Sequence, residues 1–335
     1  MGLFERCAEN PIVVPGKYEW RRCVTLNPGV IRDDDGTFYM LERTGGSLRP
    51  FPHVFGLLKS DDGVHFEHVC DEPVFTAGQL GFPHGSVQDP RLTRIDGQFQ
   101  AVYAMRRYAV DCSPTGTGVP EYDMPDYPGM PADESHASRS GIAVSDDMIH
   151  WRHVAYVGPE DVDDRDNILF PEKVGGRYAM LRRPAVVDLR GKSSSTAGVR
   201  ISFSDDLTTW TDSQPVADPE QPWEGAKIGG SAPPLRTDEG WLVTYHGVDA
   251  GGTYRTGLML LDLHDPTRVL ARTHAPVLEP EAYYERFGLV IPNVIFATAN
   301  VVVEGVVHLY YGCCDTTIAL ATCPLADLLS AVRSG

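Results

Sequence analysis

The sequence predicts an all-β fold, a five-bladed β-propeller with a short C-terminal helix, on three observations. A motif of proline, glycine turn and apolar strand recurs five times. The apolar runs have strand length and strand boundaries, and no long stretch repeats every 3.6 residues. Hydrophobic residues make up 42% of 335 and charged residues 22%, enough apolar side chain for a large core and too little charge bias for disorder.

The repeat begins at Asn27-Pro28, passes the turn at Gly36 and enters the strand Phe38-Tyr39-Met40-Leu41. Its second copy opens at Asp89-Pro90 and, after Gly97, continues as QFQAVYAM. The third runs from Phe170-Pro171 through Gly176 into RYAMLRRP, and the fourth from Pro233-Pro234 through Gly240 into WLVTYHG. Ile291-Pro292, Gly305 and VVHLYYG form the fifth. From Pro28 the steps to Pro90, Pro171, Pro233 and Pro292 are 62, 81, 62 and 59 residues, one period with one insertion. A unit of that length has room for about four short strands, which is what one propeller blade requires. Residues 1–335 are therefore read as one catalytic propeller, with a long loop inserted at about 112–140. That loop carries Pro114, Pro120, Pro125, Pro128 and Pro131 among Gly, Asp and Ser, the composition of a lid, a partner contact or a disordered segment.

A second motif marks the far side of the repeat: SDDGVHF from Ser60, SDDMIHW from Ser145 and SDDLTTW from Ser204. Ser and Asp side chains hold turns by bonding nearby backbone N–H groups, and the closing aromatic packs beneath, so this motif reads as structural. Runs such as Val301-Val302-Val303 and Leu258-Met259-Leu260-Leu261 read as strands, and PLADLLSAV is the one expected helix.

Lys and Arg number 29 against 46 Asp and Glu, a net charge of −17 that opposes attachment to nucleic acid or an anionic membrane. No apolar run approaches a membrane span, and MGLFERCAEN lacks the regions of a signal peptide, so a cytoplasmic location is expected. Seven cysteines, with no CxxC pair or metal-ligand spacing, suit a reducing compartment and predict no metal site.

In a propeller the innermost strands converge at one mouth of the central channel. The five positions before the proline are Asn27, Asp89, Phe170, Ala232 or Pro233, and Ile291, and Asp89 alone among them is ionisable. The same geometry draws in Arg43 and Arg49 after the first blade start, Arg165, Arg183, Lys227 and His246. Arg183 and His246 end the apolar strands AMLRRP and LVTYHG. Converging basic residues in so acidic a chain predict an anionic ligand, phosphate or a phosphorylated sugar, while no Walker or Rossmann loop suggests a nucleotide.

With Asn27-Pro28-Gly29, Gln88-Asp89-Pro90-Arg91, LFPEKVGGRYAMLRRP, Lys227, TYHG and YYGCCD in order, the chain resembles glycoside hydrolase family 130 from about Asn10 to the C-terminal helix. These are five-bladed propellers that mostly phosphorolyse β-mannosides. The resemblance implies Asp89 as proton donor, acting through the mannose 3-hydroxyl, and Arg165, Arg183, Lys227 and His246 as phosphate ligands. It implies sugar contacts from Asn27, Arg43, Arg49 and Asp315, with Tyr254 as an aromatic contact. Where the family often has Asn directly after the first phosphate arginine, this chain has Asp166 and then Asn167.

Hydrolytic glycosidases usually need two carboxylates, whereas phosphate is already an anion and needs no base, only cations to hold it. One acid beside a basic cluster fits inverting phosphorolysis of a β-mannoside to α-mannose 1-phosphate, with inorganic phosphate as co-substrate and no cofactor. β-Mannobiose, β-mannooligosaccharides and mannosyl-glucose all fit that chemistry. Two alternatives stand beside it: a hydrolase, either of β-mannosides or of the five-bladed arabinanase and invertase type, which would carry a carboxylate where this chain has Asn27, and a non-catalytic sugar-binding propeller. Oligosaccharide and phosphate are the expected partners, and homo-oligomerisation is compatible with the sequence.

Overall fold

The computed structural model describes residues 2–132, 134, 137–160, 162–186 and 198–335. Five antiparallel sheets follow one another as the blades of a propeller, and each blade begins at its innermost strand. Those strands are Val24–Arg32, Ser86–Ile95, Val162–Leu169, Lys227–Gly230 and Ile295–Val303. The second strands, Phe38–Gly45, Gln98–Arg106, Tyr178–Val186, Gly240–Val248 and Val306–Cys313, run back toward the same end of the channel. In blade 4 the inner strand is broken by Ser231-Ala232-Pro233-Pro234 and resumes as Leu235–Thr237, both pieces pairing with Gly240–Val248.

The ring is closed by the N-terminus. Glu5–Arg6 pairs with Thr317–Pro324 and supplies the outer strand of blade 5, whose other three strands come from the C-terminal end of the chain. Arg6 fixes this strap through an ion pair to buried Glu285, with Nε 2.7 Å from Oε1. The helix expected from PLADLLSAV is present as Leu325–Ser334, and it buries Leu328 and Val332, one turn apart, against blades 4 and 5. No helix among the described residues is long and apolar enough to cross a membrane.

Apolar side chains fill the wedges between neighbouring blades. Leu41, Leu57, Leu92 and Tyr103 pack between blades 1 and 2, Val102, Ile142, Leu169 and Met180 between 2 and 3, and Leu181, Ile201, Val243 and Met259 between 3 and 4. Each such side chain contributes on the order of 1.5–3 kcal/mol when fully buried. The Ser-Asp-Asp motifs are turns between the third and fourth strands of blades 1 to 3. Asp62, Asp147 and Asp206 each accept two backbone N–H bonds, and Ser60, Ser145 and Ser204 accept others. Asp262 does the same in blade 4 without the motif's serine.

Two expectations are corrected. The proline register holds only in blades 1 and 2: Pro171 follows its inner strand, Pro292 precedes its own, and Pro233-Pro234 interrupts the fourth. What the first three inner strands share is a bulge with one left-handed residue, Asn27 (φ 42°), Asp89 (φ 52°) and Asp166 (φ 59°), conformations that Asn and Asp tolerate best. Phe170 and Ile291 are therefore not the counterparts of Asp89, and Asp89 is not the lone ionisable group at that register. The insertion is also more than a loop: Asp111–Ser113 and Glu121–Asp123 pair as a hairpin. Its base is stitched to blade 1 by Cys112 N–H to Leu48 carbonyl and Phe51 N–H to Val110 carbonyl, 2.8 Å each. Residues 133, 135 and 136 of this segment lie outside the described residues.

Candidate active site

The starts of the inner strands and the ends of the second strands enclose a cavity of about 580 Å³ at one mouth of the channel. Every predicted site residue lines it except Arg49, which is exposed and donates instead to Ser113 Oγ on the inserted hairpin. Five basic side chains, Arg43, Arg106, Arg165, Arg183 and Lys227, face Asp89, Asp166, Asp249 and Asp315 across the lining. Cations thus outnumber carboxylates on this lining, although the chain as a whole carries a net charge of −17.

Asp89 is buried at the floor. The bulge turns its carboxylate toward blade 1, where Oδ1 accepts from Asn27 Nδ2 at 2.8 Å and from Arg43 Nη1 at 2.7 Å. Oδ2 accepts no hydrogen bond from a described residue; Arg91 Nη1 lies 3.9 Å from it and donates to the Asp89 carbonyl at 2.7 Å. Burial works to raise the Asp89 pKa, but Arg43 and Arg91 with the Asn27 hydrogen bond outweigh it and hold it below the ordinary value. Close packing keeps this arrangement in place, because a Cβ on Gly312 would fall 2.0 Å from Asn27 Oδ1 and one on Gly29 2.8 Å from the Pro90 carbonyl oxygen.

The basic cluster sits across the channel from Asn27. Arg183 Nε donates to Asp166 Oδ2 at 2.6 Å, and Arg165 pairs with Asp163 at 2.9 Å. Arg43 and Arg183 share a register, each paired with the residue that precedes its blade's bulge, Leu26 and Arg165. Lys227 has no ion pair among the described residues, and its Nζ lies 5.2 Å from the centre of the Tyr254 ring. His246 differs from the expectation of a cation: burial, with Lys227 and the nearby arginines, pushes its pKa down to about 3 against the pull of Asp166, so the ring is neutral. It stacks on Tyr254 with centroids 5.8 Å apart and hydrogen-bonds rather than supplying charge. Burial, opposed by Arg43 and reinforced by the negative charge of Asp89, raises half-buried Asp315 to about 6.

The fold adds residues that the sequence reading did not assign. Arg91 bridges Asp89 and Asp166; it stands in the quoted QDPR motif two positions after the acid, just past the bulge. Arg106 closes the strand Gln98–Arg106, and Arg183 and His246 lie two or three residues before the ends of theirs, a signal of a similar kind; burial and Arg165 lower the Arg106 pKa to about 10. Tyr122 and Val119 of the inserted hairpin reach the cavity mouth opposite Gly251 and Gly252. Among the described residues no group of three or more His, Cys, Asp or Glu side chains is placed to hold a metal ion.

Comparison with known proteins agrees with the geometry. The family model described as beta-1,4-mannooligosaccharide phosphorylase, that of glycoside hydrolase family 130, matches residues 131–334. The chain belongs to glycoside hydrolase family 130. As a member it is an enzyme, and its family 130 relatives are named as mannoside phosphorylases. A 1,2-beta-oligomannan phosphorylase of Thermoanaerobacter sp. (strain X514) is 32% identical over 97% of this chain and 98% of its own length. A beta-1,2-mannobiose phosphorylase of the same organism is 32% identical over 94% and 95%. Among solved structures, the beta-1,2-mannobiose phosphorylase of Listeria innocua superposes with a TM-score of 0.76 at 22% identity, covering 99% of both chains, and shares the family 130 fold.

Proposed function

We propose that this family 130 propeller is a single catalytic unit that phosphorolyses β-mannosides with inversion, taking β-1,2-linked mannooligosaccharides and inorganic phosphate to α-mannose 1-phosphate and a shortened sugar. The observation that carries this reading is the division of the cavity. Asp89, a buried carboxyl with one oxygen unengaged, is turned toward blade 1, and Arg165, Arg183 and Lys227 come from blades 3 and 4. The linkage is supported by the names of the two relatives that are 32% identical over 97% and 94% of this chain.

In the resting site Asp89 is a carboxylate, because Arg43 and Arg91 hold its pKa down. An anion entering the same cavity offsets those cations and raises the affinity of Asp89 for a proton, so acid and nucleophile are loaded together. Asp89 Oδ2 then delivers its proton toward the glycosidic oxygen, along the 3-hydroxyl path that the family resemblance implies. Phosphate held by Arg165, Arg183 and Lys227 attacks the anomeric carbon from the opposite face, and His246 orients it by hydrogen bonding. A single displacement inverts that carbon. The blade 1 bulge carries Asn27, which donates to Asp89 and cannot act as a carboxylate nucleophile.

The test is turnover of β-1,2-mannobiose, with β-1,4-mannobiose alongside, in the presence and absence of phosphate, followed by proton NMR. Phosphate-dependent appearance of α-mannose 1-phosphate is expected. Free mannose formed equally fast without phosphate would establish a hydrolase, and a β-configured phosphate would exclude single displacement.

A further inference from the structure

Asp166 is an acid in the middle of the basic cluster. It is 6% exposed, and the blade 3 bulge directs it into the cavity. Its two oxygens are in different situations. Oδ2 accepts from Arg183 Nε and lies 3.5 Å from His246 Nε2. Oδ1 accepts no hydrogen bond from a described residue, although Arg91 Nη2, itself a buried donor without a partner, stands 3.5 Å away. Room for the carboxylate is made by Gly229 on the facing strand, where a Cβ would fall 2.7 Å from Oδ2. The charged and titratable groups that face Asp166 are Arg183 and Arg165 of its own blade, Arg91 of blade 2, and Lys227 and neutral His246 of blade 4. Those cations overcome burial and keep Asp166 ionised.

A pocket of cations alone takes any tetrahedral oxyanion of suitable size. A fixed carboxylate oxygen on its wall changes the requirement, since it repels a bare anionic oxygen and attracts only an oxygen that still carries hydrogen. Hydrogen phosphate and dihydrogen phosphate carry such a hydroxyl near neutral pH, as do the corresponding arsenates. Sulfate, of nearly the same size and shape, carries none.

We propose that Asp166 Oδ1 accepts a hydrogen bond from the P–OH group of bound phosphate and so makes this a site for protonated tetrahedral oxyanions that excludes sulfate. The inference rests on the reading of the cavity as a phosphate site, and it adds a selectivity that the basic residues by themselves do not provide. It also fixes an orientation: the protonated oxygen of the anion faces blade 3, which leaves its unprotonated oxygens for Arg165 and Lys227 and for attack.

The experiment is calorimetric titration of the full-length protein with inorganic phosphate, arsenate and sulfate at about pH 6, 7 and 8, spanning the second ionisation of phosphate. Phosphate and arsenate are expected to bind, and sulfate about a hundredfold or more weaker, because the carboxylate meets an acceptor instead of a donor. Phosphate is expected to keep binding at about pH 8, because the dianion that predominates there still carries one P–OH for Asp166 Oδ1, while sulfate stays excluded at every pH. In Asp166→Asn, whose amide can donate to an anionic oxygen, the gap between phosphate and sulfate is expected to shrink to about tenfold or less. Sulfate that competes with phosphate within a few-fold in the unmodified protein overturns the inference and leaves the phosphate site standing. Binding of neither anion overturns the phosphate reading and this inference together. Because the comparison in the unmodified protein is decisive alone, a variant that fails to fold through loss of the Arg183 pair does not weaken the test.

Discussion

Asp166 stands in blade 3 where Asp89 stands in blade 2: each is the left-handed residue of a bulge in the innermost strand, and each turns its carboxylate into the same cavity. Arg91 joins them, with Nη1 3.9 Å from Asp89 Oδ2 and Nη2 3.5 Å from Asp166 Oδ1. The repeat has thus placed one structural device in two blades, and the neighbours give each copy its own work. Asp89 keeps one oxygen free beside Asn27 and Arg43, while Asp166 is built into the cationic wall by Arg183.

Replacement of Asp89 by Asn is expected to lower kcat on unactivated mannosides by about a hundredfold to ten-thousandfold, the range lost with a general acid. The amide keeps the shape but cannot transfer a proton to the leaving oxygen. Circular dichroism should match that of the parent, while the unfolding midpoint falls, because the carboxylate that Arg43 and Arg91 stabilise in the folded state is lost. A folded variant with near-parental phosphorolysis would remove Asp89 from the acid role.

Lys227 and Arg183 should separate in a way that follows from their partners. Lys227→Ala removes a cation with no ion pair among the described residues, so the KM for phosphate rises about tenfold or more while the KM for the mannoside changes little. Arg183→Ala also strips Asp166 of its closest donor in a buried setting, and on top of the phosphate defect it should cost about 3 kcal/mol or more of stability. Equal rises in both KM values for Lys227→Ala would argue against a phosphate pocket there.

The inserted hairpin should govern the sugar on the acceptor side. Val119 and Tyr122 line the cavity while remaining largely exposed, so their replacement by Ala removes contact surface without opening a core cavity. The expected outcome is a changed preference among disaccharide and longer acceptors in the synthetic direction, with an unaltered unfolding midpoint. Cys112 is different, being 1% exposed and packed with Leu26, Phe51 and Val290, and a deletion that reaches it should destabilise the protein. Unchanged acceptor preference in the Val119 and Tyr122 variants would leave the hairpin without a role in binding.

The fold and most of the site were legible because they are written in short-range chemistry. Glycine turns and apolar strands recur with a period, and apolar strands that carry Arg183 and His246 near their ends announce polar groups at that end of the sheet. Register was not legible in blades 3 to 5, since proline marks a place where a backbone donor can be spared rather than a fixed position in the blade. Hence Phe170 was aligned with Asp89 when the bulge, set by pairing across the sheet, falls at Asp166. The neutrality of His246 is likewise a property of its folded surroundings, because burial and neighbouring cations meet on it from three blades.

Asp315 offers a test by pH. Burial, together with the negative charge of Asp89, raises its pKa from 3.8 to about 6 in the folded protein, against the opposing effect of Arg43 and Lys227. In the unfolded chain it titrates near the ordinary value, so between the two values the folded state binds the extra proton. Well below 3.8 the residue is protonated in both states and costs nothing. As pH rises through that value toward about 6 the unfolded chain gains the more stable carboxylate, and folding stability is lost progressively, reaching a constant deficit above about 6. Asp315→Asn does not titrate and avoids that loss. The variant should therefore be more stable than the parent at neutral pH by on the order of 1–2 kcal/mol, with the gap closing as pH falls toward about 4. Urea unfolding of both proteins at intervals from about pH 4 to about pH 8 measures it. The gain should come with a higher KM for the mannoside, because the carboxylate that burial destabilises is the one left to accept hydrogen bonds from sugar hydroxyls. A gap that is absent at neutral pH, or one that widens on acidification, would show that the folded cavity does not raise the Asp315 carboxyl.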